Sequence, residues 1–115
     1  MRYVLLIYGS EEITAGMTEE ERGKLMLGHA AFAQEALQRN VLTGGGPLQP
    51  TGTATTVRVR HGQAMITDGP FAETKEQLAG FYMLNCKDLD EAIELASKIP
   101  DALHGSVEIR PFLEL

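Results

Sequence analysis

Apolar and polar positions along the chain divide into two kinds of pattern. The opening stretch Arg2-Tyr3-Val4-Leu5-Leu6-Ile7-Tyr8 is apolar at both parities and ends in Gly9-Ser10, the pattern of a strand covered on both faces. A second such stretch runs from Leu78 to Cys86, with Phe81 and Met83 on one face and Tyr82 and Leu84 on the other. Between them the period changes to that of a helix. Thr18 with Glu21 three residues on is a capping box, and Leu25, His29, Phe32, Ala33, Ala36 and Leu37 recur at helical spacing until Asn40, which predicts a helix over 18–39. Asp88 with Glu91 repeats the signature, and Leu89, Ala92, Ile93, Ala96 and Ile99 form a stripe that Pro100 stops.

The remaining segments read as exposed strands. Val41-Leu42-Thr43 predicts a short strand that Gly44-Gly45-Gly46-Pro47 interrupts, a composition suited to an irregular edge or to backbone approaching a ligand. Thr53 to Arg60 alternates, His61-Gly62 is a two-residue turn, and Ala64-Met65-Ile66-Thr67 returns, which predicts a β-hairpin. Val107-Glu108-Ile109-Arg110-Pro111 alternates and ends in a proline, as an edge strand does. The order β, α, β, hairpin, β, α, β is a ferredoxin-like βαββαβ unit with an inserted β-hairpin, an α+β fold spanning 1–115 as one domain. The two strands that this topology makes central are the two apolar ones. Its two helices can cover only one face of the sheet, so the pattern predicts a homodimer packed through the other face. Glu108 and Arg110 would then line a partly enclosed small-molecule cavity.

Composition narrows the partners. Ten Lys and Arg against sixteen Asp and Glu give a net charge of -6, which argues against a nucleic-acid or anionic-lipid partner. The longest early apolar run, Tyr3 to Tyr8, is too short for a secretory core or a membrane span. One cysteine, Cys86, permits no internal disulfide, and a reducing cytoplasm fits. The three histidines have no ligand spacing, so no metal site is expected. The glycine run lacks the residues of a nucleotide cradle, and no cofactor is expected.

His29 lies on an otherwise apolar helical stripe, where an imidazole is either a packed core residue or a group facing a cleft. Asp68 opens Asp-Gly-Pro-Phe, a turn that either only reverses the chain or presents a carboxylate and the Phe71 ring at a pocket mouth, with Glu73 beside them. A carboxylate next to His29 would make an acid–base dyad. Tyr82, like Tyr3 and Tyr8, is a wall residue able to turn a hydroxyl inward.

The run Asp68-Gly69-Pro70-Phe71-Ala72-Glu73-Thr74-Lys75-Glu76-Gln77-Leu78, continued by Gly80-Phe81-Tyr82, resembles the YCII-related proteins, in particular their DGPF branch. The resemblance extends to Tyr3–Tyr8, the helix bearing His29, Gly44–Leu48, Thr55–Arg58 and Gly105–Pro111. It implies a dimeric α+β barrel and a His–Asp pair in its cleft, with His29 as the histidine and Asp68 as the candidate acid. It also implies two functions to weigh. One is a cofactor-free lyase or isomerase using His29 and Asp68, with Phe71, Glu73, Tyr82, Glu108 and Arg110 around the ligand. The other is a non-catalytic ligand-binding module accompanying a sigma factor in transcriptional regulation.

Overall fold

A computed structural model describes residues 1–115. Strand β1 (Arg2–Gly9) leads through a short helix α1 (Glu11–Ala15) into the long helix α2 (Glu19–Gln38). Then follow β2 (Leu42–Pro47), the hairpin β3 (Thr55–Arg60) and β4 (Gln63–Asp68), β5 (Gln77–Asn85), α3 (Leu89–Ala96) and β6 (Ser106–Pro111). Four strands form one antiparallel sheet in the order β2-β5-β1-β6, and the hairpin forms a second sheet by itself. The α+β fold expected from the pattern is the fold observed, with the two apolar strands at the centre.

Local chemistry accounts for the boundaries. At α2, the Thr18 side chain accepts from the Glu21 amide and the Glu21 carboxylate accepts from the Thr18 amide, so two otherwise orphaned donors are satisfied. At its other end Asn40 adopts φ 58°, and the Val41 amide returns to the Ala36 carbonyl. Asp88 caps α3 by accepting from the Glu91 amide. His61 and Gly62 both have positive φ, 53° and 77°, as a type I′ hairpin turn requires.

Register assigns the faces. Tyr3, Leu5 and Ile7 stand opposite Leu84, Tyr82 and Gly80 on β5, on the face that packs against the helices. There Phe32 and Ala36 of α2 and Ala92, Leu95, Ala96 and Ile99 from α3 onward bury against them. Leu6, Phe81 and Glu108, and behind them Val4, Met83 and Arg110, occupy the opposite face, over which no helix lies.

Two expectations are corrected, and one short helix falls outside them. The glycines do not interrupt β2, which runs through to Pro47. Gly45 has φ 131°, and a Cβ there would lie 2.3 Å from the Phe81 carbonyl oxygen, so this edge strand approaches β5 too closely for a side chain. The stripe of α3 is turned relative to the one expected: Leu95 is buried, whereas Leu89 and Ile93 are about half exposed. Helix α1 has no buried residue, so no apolar period announced it.

Candidate functional site

On the helix-covered side of the sheet a cleft of about 620 Å³ lies between α2 and the β2–β5 edge. Its walls include Ile7, Leu25, Met26, Leu42, Pro47 and Leu48, and its polar groups are concentrated at His29, Tyr82 and Asp101. Tyr82 rises from β5 and packs its ring 4.6 Å from that of Phe32, which fixes its direction. Its hydroxyl meets His29 Nδ1 at 2.8 Å. On the other side of the imidazole, Nε2 meets Asp101 Oδ1 at 2.5 Å.

Asp101 is carried by a 3₁₀ turn, Pro100–Leu103, that follows α3. This turn reaches α2 because residue 28 is glycine: a Cβ at Gly28 would lie 2.9 Å from Pro100 Cγ. The adjacent residues, His29 and Asp101, are thereby brought together across 72 positions of sequence. A glycine within a helix costs about 1 kcal/mol relative to alanine, and here it permits the contact that builds the site.

The hydrogen-bond partners assign the protons. A carboxylate can only accept, so in the neutral imidazole Nε2 carries the ring proton and Nδ1 is left as the acceptor for the Tyr82 hydroxyl. Burial, and then the nearby Asp101 charge, push the Tyr82 hydroxyl above its ordinary pKa of 10.0, so it rests protonated. The result is a chain of two hydrogen bonds from an ion to a phenol, with side-chain exposures of 27% for His29 and 18% for Asp101.

Among the residues singled out from the sequence, His29 and Tyr82 meet. Asp68 is not the acid that meets His29. It ends β4, exposed and opposite Thr55, on a hairpin that shares no ladder with the main sheet. Its loop is anchored to the hairpin base, where the Gly69 amide donates to Ala54 and Thr56 to the Gly69 carbonyl. Phe71 is exposed, and Glu73 lines a separate polar hollow of about 600 Å³ with Ser10, Glu11 and Lys75. That hollow is braced by Glu11, which accepts from Thr51, and by Gln77, which accepts from the Glu11 amide. Glu108 and Arg110 pair at 3.5 Å on the helix-free face. Strand alternation puts them on the opposite side of the sheet from His29, so they do not line its cleft. Asp101 was missed because Pro100-Asp101 reads in sequence only as the end of a helix.

Residues 1–115 match the YCII-related domain. The chain belongs to the YCII-related family. An uncharacterised protein of Rhizobium meliloti (strain 1021) is 39% identical to it over 113 residues, covering 96% of this chain and 91% of that one. For this YCII-related chain the Asp101–His29–Tyr82 constellation is a statement about geometry, since the relative carries no assigned activity.

Proposed function

We propose that the cleft is a cofactor-free proton-transfer site of the lyase or isomerase class, in which Tyr82 meets the substrate while His29 and Asp101 set its proton balance. The observation that carries this is the occupation of both ring nitrogens of His29 by protein groups. The imidazole is an internal relay with no free nitrogen for a substrate, and the Tyr82 hydroxyl keeps a free lone pair at the cleft. A substrate proton passes to the Tyr82 oxygen as the hydroxyl's own proton moves to His29 Nδ1, and the imidazolium so formed is held by the Asp101 carboxylate. One proton leaves the substrate, one arrives on His29, and Tyr82 is neutral at both ends. That concerted route suits a phenol whose ionised form burial disfavours. Running it backwards returns the proton to a second position of the substrate.

The test is exchange of the α-hydrogens of small ketones in D2O, followed by NMR. Wild type should catalyse exchange, and Tyr82→Phe and His29→Gln should each lower the rate about 10²–10⁴-fold. Exchange undiminished in Tyr82→Phe would remove the phenol from the mechanism. Ketones that bind the cleft without exchanging would leave the ligand-binding accessory module as the function. Pairing of two copies through the helix-free sheet face belongs to the same proposal, as does a reducing cytoplasmic setting, in which Cys86 is a buried free thiol.

A further inference from the structure

We infer that the cleft selects an uncharged, flat, unsaturated molecule bearing one hydroxyl group. This rests on the proposed reading of the cleft as the ligand site and adds the class of ligand. Two independent features support it, one of charge and one of shape.

The ionisable side chains lining the cleft are His29, Tyr82 and Asp101, and no lysine or arginine is among the lining residues. Arg22, the cation in contact with rim residue Thr14, is directed at the Thr14 and Ala15 carbonyls at 3.3 and 3.4 Å. Arg110 stands on the other face of the sheet. An anionic ligand would leave water for apolar walls and a fixed carboxylate with no countercharge. A ligand hydroxyl needs only one polar partner: it donates to the Tyr82 oxygen, whose own proton is engaged by His29 Nδ1.

Shape comes from the floor. Beside Tyr82 on the helix-covered face, the register sets Gly80 and Gly45. Neither can carry a side chain at this strand spacing: a Cβ on Gly80 would lie 2.9 Å from the Gly46 carbonyl oxygen, and one on Gly45 2.3 Å from that of Phe81. The floor there is bare peptide, whose planes lie close to the plane of the sheet, while α2 closes the opposite side. A slot between a flat polar floor and an apolar wall accepts a planar conjugated ring better than a puckered saturated one.

The experiment follows backbone amide shifts by NMR as the intact protein is titrated with phenol, benzoate and cyclohexanol. Phenol should shift Gly45, Gly80 and Tyr82 and bind at least about tenfold more tightly than benzoate, with the saturated alcohol in between. Met26→Arg, at an exposed position of the α2 wall and so without effect on folding, should narrow the phenol-to-benzoate preference at least about threefold by supplying the absent cation. Benzoate or cyclohexanol binding wild type as tightly as phenol overturns the inference, as does a phenol response absent or centred elsewhere. Tyr82→Phe separates the two proposals. Lost exchange is a matter for proton transfer, whereas a reversed ligand order with exchange intact counts against the ligand class alone.

Discussion

Gly28 carries more of the site than its missing side chain suggests. Alanine there would gain helix propensity of about 1 kcal/mol, yet its Cβ would fall 2.9 Å from Pro100 Cγ and displace the turn that holds Asp101. We expect Gly28→Ala to change stability by no more than about 1 kcal/mol while lowering ketone exchange about tenfold, because the two effects fall on different properties. The downfield proton resonance of the Nε2–H to Asp101 bond should move upfield in the variant, and an unmoved resonance would show that Pro100 yields without cost. His29 was legible in the sequence because an imidazole on an apolar stripe must either be packed or face a cleft. Asp101 was not, since its role depends on a backbone contact between a glycine and a proline far apart in the chain, which no local spacing records. Asp68, by contrast, stands in the most recognisable motif of the chain, yet the imidazole is met by Asp101 while Asp68 ends the exposed hairpin.

Among the elements, α2 and α3 are joined at one end by charge. Arg39, just past α2, pairs with Glu35, with Glu91 at 3.6 Å and with Glu94 at 3.0 Å, and Lys98 reaches Glu35 at 2.7 Å. The Lys98 hydrogen bond holds Glu35 below the ordinary glutamate value of 4.5, and the Arg39 hydrogen bond does the same for Glu94. A carboxylate depressed in the folded state contributes stability that is complete above its unfolded pKa and lost as pH falls through the folded one. Arg39→Gln should therefore melt about 2–5 °C below wild type at pH 7, with the two Tm values converging as pH falls below about 4.5. Parallel melting curves down to strongly acid pH would mean that Arg39 acts through its aliphatic packing. Capping signatures made α2 and α3 readable, and doubly apolar runs or alternation did the same for five of the six strands, because those signals arise within one turn or one strand. The continuation of β2 through three glycines was less so: it depends on how closely β5 lies alongside, a property of the pair. The rotation of the α3 stripe onto Leu95 likewise follows from where the sheet sits, and five residues of α1 are too few to display a period.

The whole molecule is a slab. Its extents are 47 × 44 × 18 Å, so the thin dimension holds one sheet and one helical layer, and its radius of gyration of 16.0 Å exceeds the roughly 13 Å of a compact domain this long. Its accessible surface is 8204 Å², about 2,000 Å² more than the roughly 6,200 Å² typical of a folded monomer of this mass. Part of the surplus is the helix-free sheet face, with Leu6, Phe81, Val4 and Met83 along its central strands. Part is the hairpin, whose Val57, Val59 and Ile66 share one face and are each at least 61% exposed. A stable dimer buries about 800 Å² per partner, so the surplus is large enough to supply an interface, and two isolated strands need such a covering to be stable. We therefore expect sedimentation at micromolar concentration to give about twice the chain mass of 12.5 kDa. Leu6→Glu, which places a charge at the centre of the helix-free face, should give the single-chain mass with the far-ultraviolet circular dichroism unchanged. His29, Tyr82 and Asp101 lie on the other side of the sheet, so the monomeric variant should keep ketone exchange within about twofold of wild type. A dimer that survives Leu6→Glu but dissociates on Val57→Thr would move the interface from the sheet to the hairpin, and a monomeric wild type would mean that this surface stands open in solution.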